Sequence, residues 1–204
     1  MDVRVADATV NAFAPALKEP TDRFTVTSTA TAKGAQPAAP RLRPTPHGIS
    51  VDAPDPLQSL LLRVPEGVTL VVDSRRGDVN VTNISGSARV TIHEGNGHII
   101  VGGTAEASAD RGNLSVTMGA TSWNGTLHLT DQQGDIVIWI TETAAFNVHL
   151  HTDNGTLFSD FDLRGTSQGK SETIDGAVNG GSASRLDVYA RAGAIRLLRL
   201  HPEA

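Results

Sequence analysis

Six short polar turns, each holding a glycine and each flanked by alternating apolar residues, constrain this chain more than any other feature. The turn glycines are Gly77, Gly97, Gly112, Gly134, Gly155 and Gly193, at intervals of 20, 15, 22, 21 and 38 residues. The units around them are Val68–Val81, Ala88–Val101, Ala105–Met118, Thr126–Ile140, Phe146–Phe158 and Arg185–Leu198. Each reads as an alternating strand, a polar turn and a second alternating strand. Period-two alternation places Val68, Leu70 and Val72 on one face, and likewise Phe146, Val148 and Leu150. A period near 20 with one roughly doubled interval is the mark of a stacked repeat.

Two all-β architectures produce this pattern. In a β-solenoid, a right-handed β-helix-like stack of about 20-residue rungs, small aliphatics line up in columns inside. In an antiparallel meander or sandwich each unit is a hairpin, and Asn-Gly at 96–97 and 154–155 is a type I′ hairpin signal. The near-constant period and the aromatic content of 4% favour the solenoid, whose narrow interior suits Val, Ile, Leu and Ala.

Nine of the ten prolines precede residue 66, whereas eighteen of the twenty glycines follow it. Proline fixes φ and removes a donor, while glycine supplies tight turns, so the two parts meet different backbone demands. The expected organisation is a Pro-rich N-terminal strap or linker with one or two strands over residues 1–65, then a repetitive β-domain over 66–204. Within the first part Arg23–Ala30 reads as a strand, Asn11–Lys18 as at most a short helix, and 34–56 as an extended polyproline-like segment.

With 39% hydrophobic residues in 204, there is enough apolar material for a core. The net charge of −5 supplies no field to gather nucleic acid. The absence of cysteine removes disulfides, thiol nucleophiles and thiolate metal sites. No apolar run approaches the ~20 residues of a membrane helix, and residues 1–20 lack a basic stretch leading into an apolar one. The expectation is a soluble chain that is not itself membrane-spanning.

Phosphate-binding, zinc-protease, calcium-loop and nucleophile-elbow patterns are absent from the sequence, so the reading is non-enzymatic, with no cofactor. Counted from the turn glycines, Asp73, Glu94, Asp110, Asp131 and Asp153 suggest an acidic column along one edge, solvated as turn residues usually are. His149 and His151 share one face of a strand, and with a neighbouring-rung His128 or Asp131, or with Asp153, they are the candidates for a metal site. Two imidazoles fall short of the three or four ligands such a site needs. Trp139, inside IVIWI, is either packed on its strand or an exposed stacking platform. Arg76-Gly77-Asp78 is an RGD tripeptide placed where turn chemistry alone calls for Gly and Asp.

The segment Gly67–Val81, its echo at Arg89–Val101, and Phe146–Leu163 followed by Gly176–Leu200 resemble the bacterial putative-adhesin family, domains of unknown function. The family's ordered ending is matched here by Asn154-Gly155, Ser159-Asp160-Phe161, Gly180-Gly181 and Ala192-Gly193. The family writes a polar residue in its last turn, from which Arg191-Ala192-Gly193-Ala194 departs. The resemblance spans roughly residues 60–200. It implies a repetitive β-helix-like fold and a cell-envelope or secreted setting. The expected function is a surface scaffold or adhesin-like domain that recognises a cell-surface glycan or envelope protein through a strand face or turn edge. Self-association at an open strand end is expected if that end is uncapped. The alternatives are a β-helical polysaccharide-active enzyme and an envelope-stress sensor.

Overall fold

Alternating strands joined by a turn can pair with each other or with the next copy of the unit, and in this protein they pair with the next copy. The computed structural model describes residues 2–13, 25–30, 40–45, 48–53, 58–65, 67–84 and 86–201. Among these, every regular element is a strand: β1 (Asp2–Phe13), β2 (Thr25–Ala30), β3 (Arg41–Thr45), β4 (Gly48–Ala53), β5 (Gln58–Arg63), β6 (Leu70–Arg76), β7 (Val79–Ile84), β8 (Ala88–Ile92), β9 (Gly97–Val101) and β10 (Ala105–Ala109). Then come β11 (Leu114–Met118), β12 (Thr126–Asp131), β13 (Ile136–Thr141), β14 (Phe146–Asn154), β15 (Leu157–Ser159), β16 (Gly165–Gln168), β17 (Ser171–Val178), β18 (Arg185–Ala192) and β19 (Ile195–Leu200).

The two strands of a unit lie in different sheets. Sheet A runs β3-β4-β1-β6-β8-β10-β12-β18-β14-β17-β16. Sheet B runs β2-β5-β1-β7-β9-β11-β13-β19-β15. All pairing between rungs is parallel, as a solenoid requires. Each rung returns the chain, after two strands, to a point one strand spacing of about 4.8 Å from its start, so the second strand runs back against the first. The Asn-Gly dipeptides are therefore corners between sheets, not hairpins.

Parallel pairing in register stacks like positions over like. On the inner face of sheet A, Leu127, Leu186 and Val148 follow one another, and on sheet B so do Val116, Ile138 and Leu197; all are buried. Each such aliphatic contributes about 1.5–3 kcal/mol by leaving water. One irregularity falls in β7, where the register shifts between Val81 and Ile84 and Asn83 takes a φ of 56°. This bulge returns Ile84 to the core.

The corners carry a glycine ladder. A Cβ on Gly95 would lie 2.4 Å from the carbonyl oxygen of Gly77, one on Gly112 would lie 1.8 Å from that of Gly95, and one on Gly134 would lie 1.6 Å from that of Gly112. Gly193 stands in the same relation to Gly134, and Gly155 to Gly193, each at 1.9 Å. Thus Gly95, not Gly97, is the corner glycine of the second rung. Gly97 opens β9 on its inner face, in space occupied by the side chains of Leu114 and Ile92.

Next to the glycines runs a polar ladder. The Asp78 Oδ1 accepts the Asn96 backbone N–H (2.8 Å), the Asn96 Oδ1 that of Asn113 (3.0 Å), the Asn113 Oδ1 that of Asp135 (3.0 Å), and the Asp135 Oδ1 that of Ala194 (2.8 Å). Ala194 has no side-chain oxygen, so the ladder stops there. That is the structural content of the departure from the family pattern in the last turn.

The stack is not built in chain order. β1 sits between the β4/β5 and β6/β7 rungs, and the final rung, β18/β19, is inserted between β12/β13 and β14/β15. The long interval from Gly155 to Gly193 is accordingly not a missed repeat: it contains the antiparallel β16–β17 pair that extends sheet A. Among the described residues the first 63 positions hold five strands, not one or two, and they join the same sheets, so the compositional boundary near 65 is not a boundary of the stack. The short-helix expectation fails at residues 11–13, which are strand; residues 14–18 lie outside the described residues. At the N-terminal end β2 pairs antiparallel with β5 in sheet B and β3 antiparallel with β4 in sheet A, with Pro44 in β3. An edge proline discourages strand addition.

Candidate functional site on the outer face of sheet A

The outer face of sheet A presents two straight files of side chains, one residue per strand. The first runs Arg89, Glu106, His128, Asp187, His149 and Asp175; the second runs Thr91, Ser108, Thr130, Tyr189, His151 and Thr173. Neighbours in a file are one strand spacing apart, close enough for like charges to repel. The first file accordingly alternates basic or imidazole groups with carboxylates. The Arg89 Nη2 lies 2.7 Å from Glu106 Oε2, His128 Nδ1 lies 3.8 Å from Asp187 Oδ2, and His149 Nδ1 lies 2.6 Å from Asp175 Oδ1.

The second file ends in hydroxyl and ring groups. His151 places Nδ1 2.8 Å from the Thr173 hydroxyl and Nε2 3.1 Å from Asp153, while the Tyr189 hydroxyl donates to Asp153 at 2.5 Å. The His149 and His151 rings are parallel within 4°, with centroids 6.4 Å apart; those of His151 and Tyr189 are parallel within 9° at 5.9 Å. The rings stand side by side like slats. The hydrogen bond from Tyr189, then that from His151, holds the Asp153 carboxyl below the usual carboxylate value, and the same bond to Asp153 raises the Tyr189 hydroxyl.

His149 and His151 thus do share a face, but each ring turns a nitrogen to a hydrogen-bonding partner. Among the described residues no three His, Asp or Glu side chains group as a metal would require. Asp153 joins this cluster and Asp131 does not. The acidic column dissolves, because the five carboxylates stand anywhere from one to four residues before their corner glycines. Asp73 has His93 Nε2 at 3.7 Å, Asp110 has His93 Nδ1 at 2.7 Å, and Glu94 accepts from Arg76 at 3.2 Å. Asp131 points inward and is fully buried. Its Oδ1 accepts the Gln133 N–H at 2.9 Å, and its Oδ2 has no partner. Burial, with smaller contributions from Asp135 and Asp110, raises its pKa to about 7 against the opposing pull of the Gln133 bond. A group enclosed in this way cannot reach a solvent-borne ligand.

Trp139 lies on the outer face of sheet B, half-buried between Thr117 and Leu198. Asp78 of the RGD tripeptide is the first member of the polar ladder. Replacing Asp78 with alanine should lower stability by about 1 kcal/mol, the net value of one such hydrogen bond; an unchanged urea midpoint would show that the ladder contributes nothing there.

Sequence reasoning singled out His149 and His151 but missed Tyr189, Asp187, Asp175 and Thr173. The latter two belong to β17, which pairs beside β14, and the former two to β18, which pairs on its other side. No spacing along the chain signals that arrangement.

No helix among the described residues is long and apolar enough to cross a membrane. Among curated proteins none matches this sequence. The crystal structure of a putative cell adhesion protein from Clostridium sporogenes ATCC 15579 aligns with a TM-score of 0.56 over 98% of this chain and 92% of that one, at 6% identity. A likeness at that identity shows the fold alone. The family model described as Toastrack DUF4097 matches residues 64–198, from the segment leading into β6 to within β19. The repeated two-strand rungs, the ordered ending and this match agree: the chain belongs to the Toastrack DUF4097 family, β-repeat domains of unknown function.

Proposed function

We propose that the protein is a non-enzymatic scaffold of the cell envelope or cell surface whose outer sheet-A face binds a polar, hydroxyl-rich polymer of the cell-surface glycan class. One observation carries this reading: the file Thr130–Tyr189–His151–Thr173 and its neighbour Asp187–His149–Asp175 offer hydroxyls, imidazoles and carboxylates at one-strand spacing on one outer sheet face. Each contact is weak, and repetition along the stack adds them. The rigid core behind the face keeps the groups in register without an ordering cost on binding. The adhesion description of the Clostridium structure is consistent with a surface setting.

The test is a glycan and cell-wall-fragment binding screen with the intact chain, followed by Tyr189→Phe and His151→Ala. Binding should weaken by about tenfold for each, the equivalent of one hydrogen bond of about 1.4 kcal/mol. No binding to any fraction, or binding indifferent to both substitutions, would overturn the reading.

A further inference from the structure

The two ends of the stack differ in shape. Among the described residues the sheets finish level at the N-terminal end, each with two strands beyond β1. At the other end β14 and β15 form the last shared rung. Sheet A then continues for two more strands, β17 and β16, while β15 pairs only with β19 among the described residues. Sheet A therefore overhangs sheet B by two strands, leaving a notch beside β15, and a pocket of about 330 Å³ lies within it between β15 and the overhang. Leu157, Leu163 and Ile174 line it, and Phe158 stands at its rim with 53% of its surface exposed.

From this shape we infer that the stepped end is a dimerisation surface, and that its occupant is a second copy of this chain. A two-fold axis lying along the strand direction, midway between the sheets, places the overhang of each copy in line with the notch of the other. A two-strand overhang fills a two-strand notch, so β16 of each copy comes to lie beside β15 of its partner. β17 runs antiparallel to β14, and β16 antiparallel to β17, so β16 runs with β14. β15, on the return side of that rung, runs against β14. The rotation leaves strand direction unchanged, and β16 therefore meets the partner's β15 as an antiparallel pair.

Three further features fit this joint. β16 is a fully exposed edge, Gly-Thr-Ser-Gln, without charge or proline, lacking the devices that protect edges elsewhere. Charges match across the antiparallel register. Arg164, just before β16, comes beside Asp160 and Asp162, just after the partner's β15. Lys170, just after β16, comes beside the partner's Glu172, whose carboxylate accepts the Leu157 N–H at 2.7 Å. The joint is isologous, so it closes at two copies instead of propagating a fibre.

Sedimentation equilibrium of the full chain up to about 1 mM, the weak end of specific association, is the test. The expected species is a dimer. Phe158→Asp should weaken dimerisation at least tenfold. Leu42→Asp, at an equally exposed apolar residue (53%) on the opposite end, should leave it unchanged. Arg164→Glu should weaken it also, with recovery in the Arg164→Glu/Asp162→Arg double variant, which separates a joint from a folding defect. A monomer throughout the range, species larger than a dimer, or a dimer indifferent to both Phe158→Asp and Arg164→Glu would overturn the proposal.

Discussion

Asp131→Asn is expected to flatten the pH dependence of unfolding between about pH 4 and pH 7 and to stabilise the protein at pH 8. Asp131 is the one carboxylate in an inward column that also holds Ile92, Ala109 and Ala190, and it is fully buried. Burial disfavours the charged form, so the folded pKa rises from 3.8 to about 7. A raised folded value means that the native state binds the proton more tightly than the unfolded chain. The stabilisation is fully present below the unfolded value and is lost as pH rises through the folded one. At about 1.4 kcal/mol per pKa unit the loss amounts to about 4 kcal/mol. Asparagine keeps the shape and stays neutral. It should match the wild type near pH 4 and exceed it by roughly 2–4 kcal/mol at pH 8. Chemical denaturation across this range reads the effect directly, and parallel pH profiles for the two proteins would refute it. Asp153, whose pKa is lowered, works in the opposite direction, losing its contribution as pH falls. Its exposure to solvent keeps it from masking the Asp131 window.

Gly134→Ala is expected to cost more than about 4 kcal/mol or to prevent folding, a loss reserved for a few structural causes. The new methyl would sit 1.6 Å from the Gly112 carbonyl oxygen, and backbone fixed by rung-to-rung hydrogen bonds cannot yield as a flexible side chain would. The Gly134 N–H itself donates to the Ala192 carbonyl at 3.1 Å, and Gly112 donates to that of Gln133 at 3.1 Å. Gly112→Ala should be comparable, since it adds a φ of 133° to a 1.8 Å approach. At Gly102 and Gly119 a methyl would meet nothing within 4 Å, and neither has a positive φ. Alanine there should be neutral or stabilise by about 0.4–1 kcal/mol through the unfolded chain. Equal losses at Gly134 and Gly119 in thermal or urea melts would show that the ladder is not the cause.

The glycines and the alternation were legible because each records a local demand. Val68, Leu70 and Val72 alternate because a pleated strand has two faces, and turn glycines recur because each rung must bend. The corner was nonetheless misplaced by two residues at Gly97. Asn96-Gly97 carries a strong local hairpin signal, whereas the close approach that selects Gly95 comes from Gly77 on the neighbouring rung. Asp131 was misread for a related reason. A carboxylate near a polar turn is usually solvated, and only the stack turns that position inward. His149 and His151 were found by their spacing, but their partners Asp175, Thr173 and Tyr189 lie 22 to 38 residues away.

By itself the sequence determined a two-strand repeat with a small aliphatic interior, polar corners and a distinct N-terminal composition, since side-chain period and turn chemistry are properties of a few adjacent residues. Only the tertiary structure decided the order of the rungs: β1 threaded into the stack, β18/β19 inserted before β14/β15, and β16–β17 left to overhang one sheet. Parallel strands with the same alternation pair equally well with several neighbours, so the pattern leaves their order open. Contacts distant in the chain distinguish it, among them Trp123 on Phe146 with ring centroids 5.5 Å apart, Phe146 on Phe161 at 5.7 Å, and the Ser184 hydroxyl donating to the Trp123 carbonyl at 2.6 Å. The glycine period proved to be the length of chain in one rung, and its long last interval marked the place where the stack ends.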